Sequence, residues 1–301
     1  MQLTFLGTAG SWPTKERNAS AVALDMDTEV VLLDCGEGTQ RQFFLSPISF
    51  MRVRRILITH FHGDHFLGLP GLIQSMGLNN RTEPIDIYGP AEVERFVAAI
   101  MELGHFTKKF PVNAHPVEPG EEVDLGTYTV RAARAAHPVP ALAFRIQEKD
   151  KRGRFDADRA HALGCRGRDF AHLERGETVT LGNGTVVTPA MVIGPPRPGR
   201  SVVYTGDTAP SPEIVRLAQQ ADVLIHEATV ELSLEKEANE WGHSSARQAA
   251  QAAREAGVGE LYLTHFSSRY PDVTPLENEA REHFERSVAA HDLFTTILHQ
   301  R

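Results

Sequence analysis

Cysteine is nearly absent: Cys35 and Cys165 are the two in 301 residues, they lie far apart, and no disulfide framework follows from them. Packing or neutral exposure is expected for both rather than catalysis. Long apolar runs are missing as well. No stretch approaches the roughly 18 residues that a membrane span requires, and the opening Met1-Gln2-Leu3-Thr4-Phe5 has no basic segment ahead of an apolar one. A soluble, cytoplasmic protein without a membrane partner is therefore expected. Positive charge is in deficit, with a formal net of −8, which argues against a general nucleic-acid binder and leaves room for a local basic patch. With 41% apolar residues the chain can bury a large core, expected as one domain carrying an insertion.

Histidine, by contrast, is concentrated. His60, His62, Asp64 and His65 place four metal-ligating side chains within six residues, directly after the apolar run Arg55-Ile56-Leu57-Ile58-Thr59. That run is short, β-branched and uncharged at its centre, so it reads as a buried strand ending at His60. In an extended chain His60 and His62 aim the same way, whereas Asp64 and His65 turn elsewhere beyond the flexible Gly63. The pattern suits two adjacent metals. Imidazole and carboxylate donors without thiolate favour zinc, with manganese as the alternative.

A strand followed by a ligand recurs along the chain. Residues 127–133 read as a strand leading to His137-Pro138, 201–205 lead to Gly206-Asp207, 222–225 to His226-Glu227, and 261–264 to His265. Strands at 3–6, 21–24, 29–33 and 85–88 and helices at 39–45, 67–78, 91–103, 213–220, 245–255 and 274–290 complete an alternating pattern. The ligand-bearing strand ends are expected to meet at one edge of a sandwich. Asp207, beside a glycine, suits a carboxylate that bridges two cations about 3.5–4 Å apart. His60, His62 and His137 then complete one metal, and Asp64, His65 and His265 the other. Asp34, at the end of a strand, is open to two roles, orienting a metal ligand or capping the helix at 39–45.

Between 148 and 176 the charge balance reverses: eight Lys/Arg against six Asp/Glu give +2, leaving −10 for the rest. Phe155, Leu163, Phe170 and Leu173 are widely spaced, so this segment is expected to lack a core of its own and to protrude as an insertion at about 148–200. A hairpin is expected at its base, 177–181 with 185–193 across Gly182-Asn183-Gly184, with Pro189 confining the second strand to an edge. The insertion reads either as a plain surface loop or as an electrostatic arm for a polyanion. The polar loop Pro13-Thr14-Lys15-Glu16-Arg17-Asn18 likewise reads as solvated or as a phosphate contact through Lys15 and Arg17.

Together, His60-x-His62-x-Asp64-His65, His137, Asp207 within Thr205-Gly206-Asp207-Thr208, and His265 resemble the metallo-β-lactamase fold. Gly7-Thr8-Ala9-Gly10-Ser11, the Pro13-x-Lys15-x-Arg17-Asn18 loop, His226-Glu227-Ala228-Thr229 and Trp241-Gly242-His243-Ser244-Ser245 are similar to the ribonuclease Z family of tRNA 3′-processing endonucleases, and the similarity extends over nearly the whole chain. The resemblance implies an α/β (αββα) sandwich, two zinc ions per subunit, a homodimer, and an arm at about 148–200 that grips the elbow of a precursor tRNA. It implies RNA contacts from Lys15, Arg17 and Asn18, and from Arg166 and Arg168 in the arm. It further implies a zinc-dependent endoribonuclease that removes the 3′ trailer and leaves a 3′-hydroxyl on the tRNA. Asp64 is then the general base and His243 the acid for the leaving oxygen, expected to be the trailer's 5′-hydroxyl, with Glu227 orienting the imidazole. Two departures from the family pattern are present. Ser245 stands where the family often has Thr, which keeps the hydroxyl. The arm reads Leu163-Gly164-Cys165-Arg166-Gly167-Arg168-Asp169 in place of a Leu-Gly-x-Pro-x-Gly-Pro run, exchanging two prolines for added positive charge. Competing readings are a small-molecule hydrolase on the same sandwich, which has no use for the arm, and an RNA-binding module with vestigial ligands.

Overall fold

A computed structural model describes residues 1–299. By its internal contacts the chain divides into two units, one of residues 1–147 with 201–299 and one of residues 148–200. The larger unit opens with β1 (Gln2–Gly7), β2 (Ala21–Asp25), β3 (Val30–Leu33), α1 (Thr39–Leu45), β4 (Val53–Leu57), α2 (Gly63–Phe66), α3 (Leu69–Leu78), β5 (Ile85–Gly89), α4 (Val93–Met101) and β6 (Val112–Pro116). Next come β7 (Glu122–Asp124), β8 (Tyr128–Arg134) and β9 (Leu142–Glu148). The smaller unit holds α5 (Ala157–Ala162), α6 (Arg168–Glu174), β10 (Val179–Thr180), β11 (Val186–Val187) and α7 (Pro189–Val192). The chain returns with β12 (Ser201–Tyr204), α8 (Pro212–Ala218), β13 (Val223–Glu227), α9 (Glu235–Glu240), α10 (Ala246–Ala256), β14 (Glu260–Thr264), α11 (Thr274–His283), β15 (Ser287–Ala289) and β16 (Thr295–Ile297).

Two seven-stranded sheets result, ordered β16-β1-β2-β3-β4-β5-β6 and β15-β14-β13-β12-β9-β8-β7. Side chains that alternate along each strand divide between two faces. Val31 and Leu33 enter a core shared with Phe144, Ile146, Val202 and Ile225 of the second sheet, while Val30 and Leu32 join Phe43, Leu72 and Ile73 of the helices outside. The second sheet repeats the division, with Val203, Leu224 and Leu261 turned towards its own helices. There α10 presents Ala246, Ala249, Ala250, Ala253 and Ala256 at helical spacing, a stripe of small side chains that packs against the sheet. Ser245 and Gln248 close its first turn with reciprocal hydrogen bonds, so the serine hydroxyl does the capping, and Gly257 ends the helix at a φ of 66°. The layers are therefore αββα.

Strands β3 to β6 run parallel, as do β12 to β15. Their carboxyl ends line one edge of each sheet, where open parallel sheets carry their sites. Residues 67–78 form a helix only from Leu69, since α2 already begins within the histidine cluster. Expected helix at 284–290 is absent: α11 stops at His283, and residues 287–289 pair with β14 as β15 instead. Strands β6, β7 and β16 lie at sheet edges and carry too little apolar alternation to show in the sequence.

The smaller unit contradicts the expectation that it lacks a core. Ala160, Cys165, Leu173, Val187 and Val192 are buried in it, flanked by Phe155, Leu163, Phe170, Leu181 and Met191. Residues spaced widely along the chain converge because two short helices and a turn fold them together. Pro189 does not sit on an edge strand; it occupies the first turn of α7, where its missing N–H costs nothing. Arg200 donates from Nε (2.7 Å) and Nη2 (2.6 Å) to the Glu148 carboxylate, joining the two ends of the unit. Among the described residues, no helix is long and apolar enough to cross a membrane.

Candidate metal centre

Asp34 organises the centre. It follows β3 with a φ of 54°, a left-handed conformation uncommon outside glycine, and is fully buried. Its carboxylate accepts from the Thr59 N–H (2.7 Å), Thr59 Oγ1 (2.9 Å), Tyr204 Oη (2.8 Å) and His65 Nδ1 (2.7 Å). Helix α1 starts after Gly38 without a side-chain cap. Of the two roles open to Asp34, the structure thus realises the orientation of His65.

Four histidines have one ring nitrogen held and the other aimed inward. His65 Nδ1 faces Asp34, His60 Nδ1 lies 3.1 Å from Thr59 Oγ1, His137 Nδ1 3.0 Å from the Gly242 carbonyl, and His265 Nδ1 3.0 Å from Thr229 Oγ1. Thr59 and Thr229 direct their own protons to Asp34 and Glu227, and Gly242 offers only a carbonyl. Each Nδ1 therefore carries a proton, and each Nε2 is the position over which a proton and a metal ion compete. His62 turns its Nδ1 to within 3.1 Å of His137 Nε2.

Asp207 lies among these nitrogens. Its Oδ2 is 3.6 Å from His60 Nε2, and its Oδ1 is 3.4 Å from His65 Nε2 and 3.1 Å from His265 Nε2. Asp64 Oδ2 is 3.4 Å from His65 Nε2 and 3.3 Å from His265 Nε2, and accepts the Ser11 N–H at 2.7 Å. Donor atoms within 4.8 Å of one another form the groups His60, His62, His137 and Asp207; Asp64, His65 and His265; and Asp207, His243 and His265. Three buried atoms here, His60 Nε2, His65 Nε2 and Asp207 Oδ1, make no hydrogen bond. Buried polar atoms are rarely left so, and unpaired imidazole and carboxylate lone pairs gathered in one place fit metal ions.

The electrostatics agree. Burial opposes charge on His65, yet Asp207, Asp34 and Asp64 push its pKa up, whereas burial and the neighbouring His65 push that of His60 down. Burial would raise Asp207, but His265 and His65 hold it well below the usual carboxylate range. Protons and metal compete for the same Nε2 positions, so metal loading releases protons.

Beside the donors lies a second pair. His243 Nδ1 is 2.9 Å from Glu227 Oε1, and Glu227, the last residue of β13 rather than a residue beyond it, also accepts from the Thr208 N–H (2.9 Å) and Thr229 Oγ1 (2.6 Å). Burial disfavours the imidazolium, but the Glu227 carboxylate overrides it and lifts His243 to about 9.

Arg17 departs from the expected phosphate contact. It is 9% exposed, donates to the Tyr270 (2.8 Å) and Pro271 (3.1 Å) carbonyls, and lies 5.7 Å over the Phe266 ring. Its guanidinium anchors the loop. Asn18 is half-buried, with Nδ2 donating to the Glu37 (2.9 Å) and Ala19 (3.2 Å) carbonyls. Lys15 is exposed, as are Arg166 and Arg168 within the smaller unit. Sequence reasoning missed Tyr204, whose hydroxyl fixes Asp34, and Asp292, which accepts from Thr8, Asn18 and Gln42 and for which no local signal exists. Asp34→Asn is expected to lower metal affinity about 10–100-fold, as loss of a ligand's supporting carboxylate does. A chelator competition measures it, and unchanged affinity would reduce Asp34 to a folding residue.

The fold and the paired donor groups are those of the metallo-β-lactamase class, and the family model described as a beta-lactamase superfamily domain matches residues 29–162 and 170–266. Ribonuclease Z of Methanothermobacter thermautotrophicus is 47% identical over 296 residues, covering 98% of this chain and 96% of its own. Ribonuclease Z of Myxococcus xanthus is 42% identical over 301 residues, with 99% and 98% covered. The solved structure of the short form of human tRNase Z aligns at a TM-score of 0.73 and 30% identity over 99% of each chain. The chain belongs to the ribonuclease Z family.

Proposed function

We propose that this chain is an endoribonuclease that cuts precursor tRNA after the discriminator nucleotide, removes the 3′ trailer and leaves a 3′-hydroxyl on the tRNA. One observation carries it: donor groups with unpaired buried atoms, gathered on Asp207, in a chain that aligns nearly end to end with ribonuclease Z relatives. His60, His62, His137 and Asp207 would hold one ion, and Asp64, His65, His265 and Asp207 a second, with zinc favoured over manganese by the donor chemistry. Two such ions, when bound, lower the pKa of water and offset charge developing on a phosphate.

The chain's own residues supply the proton transfers. Burial would raise Asp64, but His65 and His265 hold it far below the usual carboxylate range, so it is ionised and able to orient the attacking water; the role of proton acceptor is assigned to it by the ribonuclease Z resemblance. His243, kept protonated by Glu227, delivers a proton to the leaving oxygen. A 3′-hydroxyl on the tRNA requires the P–O3′ bond to break. The leaving oxygen is therefore O3′ of the discriminator nucleotide, not the trailer's 5′-hydroxyl, and the phosphate stays on the trailer.

Residues 148–200, with their own core and the exposed Arg166 and Arg168, are assigned to the elbow of the tRNA. Exposed Phe44 and Leu45 on α1 and Leu78 on α3, helices joined by Gln40 and Ser75, support a homodimer through that face. The substrate implies work in the cytoplasm. The test is a 3′-extended precursor tRNA incubated with zinc-loaded protein, its products mapped to the nucleotide beside those of Asp64→Ala. One cut after the discriminator, absent from the variant, supports the proposal; no cut refutes it. Deleting 150–190 is expected to collapse RNA cleavage while bis-p-nitrophenyl phosphate is still turned over. Unchanged RNA cleavage would remove the arm from the substrate site.

A further inference from the structure

The chain's two tryptophans, Trp12 and Trp241, are 60% and 72% exposed. So large an apolar ring gains little from lying in water. Each is the immediate neighbour of a backbone group fixed to a candidate metal ligand. Ser11, before Trp12, donates its N–H to Asp64 Oδ2 at 2.7 Å, and the carbonyl of Gly242, after Trp241, accepts from His137 Nδ1 at 3.0 Å. Both fixing residues are left-handed, with φ of 66° and 79°. A Cβ on Gly242 would stand 2.8 Å from His137 Nδ1 and 2.6 Å from Pro138 Cδ, so that turn is fitted closely against the ligand. Asp64 and His137 belong to different donor groups. The backbone that carries one exposed indole thus adjoins each of these two groups, the tryptophan Cα a single peptide step of about 3.8 Å from the fixed residue.

We infer that Trp12 and Trp241 are stacking platforms for nucleobases of the substrate RNA on the two sides of the scissile phosphate. The inference rests on the ribonuclease proposal, because the groups that flank a phosphodiester in RNA are nucleosides. Charge complements it. The chain carries a net of −8, and Arg17 in the nearby loop is committed to two carbonyls, which leaves few cations to hold the strand at the cut. An indole face accepts any base, so it supplies affinity without imposing a sequence. That suits an enzyme whose substrates differ at the cut.

With these two indoles the only ones present, intrinsic fluorescence reads the inference directly. Zinc-loaded wild type is mixed with 3′-extended precursor tRNA in a stopped-flow cell, so that emission is recorded before cleavage, and binding is followed separately by the anisotropy of a labelled RNA. Emission is expected to be quenched as the RNA binds, with each of Trp12→Phe and Trp241→Phe losing its share. Trp12→Ala and Trp241→Ala are each expected to raise KM about 5- to 100-fold, to change kcat less, to keep wild-type metal content, and to be largely restored by Phe. Binding with unquenched emission, or Ala variants with wild-type KM, overturns the inference. Cleavage without quenching overturns stacking alone, quenching without cleavage overturns the ribonuclease proposal alone, and no RNA binding overturns both.

Discussion

On the proposed two-ion mechanism, Asp207→Ala is expected to lower RNA cleavage by more than about 10³-fold and to deplete both proposed metal positions at once, since two such ions would contribute several kcal/mol to the transition state. The reason is its place. Oδ2 faces His60, and Oδ1 faces His65 and His265, whereas Asp64 reaches only His65 and His265. Substitution at His62, which is exposed and belongs to one group, is expected to weaken one position and spare the other. Metal per subunit measured by elemental analysis, beside single-turnover rates, separates the cases. An Asp207→Ala protein that retains one tightly held ion would show that the carboxylate serves a single position.

His243→Ala is expected to keep its metals and to lose about 10²–10⁴-fold in cleavage, the usual contribution of a positioned general acid. Leaving-group chemistry tests the role: p-nitrophenolate needs no proton, so bis-p-nitrophenyl phosphate should suffer much less than RNA. Equal losses would make His243 a phosphate contact instead. The pH profile carries a sign. A general acid works while protonated, so the rate falls as pH rises through its pKa, which the chain's own charges set at about 9 and which nearby cations would lower. Glu227→Gln removes the carboxylate that raises it, so the alkaline limb should move to lower pH, and in His243→Ala it should vanish.

The legible features of the chain are short-range ones. A cluster of four donors in six residues needs no tertiary structure to be noticed, and α1 falls on the expected residues 39–45 because its apolar spacing lies within two turns. Strand periodicity placed His137, Asp207 and His265 after strands; parallel pairing of β12, β13 and β14 brings the Asp207 and His265 ends to one edge, and His137 reaches it from β8, two strands from β12 in the sheet order. The strand before Glu227 was ended two residues too early, at Ile225, because strand ends depend on partners: β13 extends to Glu227 through pairing with Thr264.

Partners remote in sequence decided the rest. Arg17 looks like a phosphate contact within its loop, but the carbonyls that hold it lie 253 and 254 residues away. Asp34 has two roles open locally, settled by His65 31 residues on and Tyr204 170 residues on. The segment 148–200 looked coreless because burial is a property of packing, and Cys165, Leu173 and Val192 meet only after their helices fold together. Spacing alone thus determined which side chains point together, since helix and strand repeat every few residues. Which of those side chains are satisfied, buried or left with an unpaired lone pair was decided by the tertiary structure, because hydrogen bonds and burial join residues that the sequence keeps far apart.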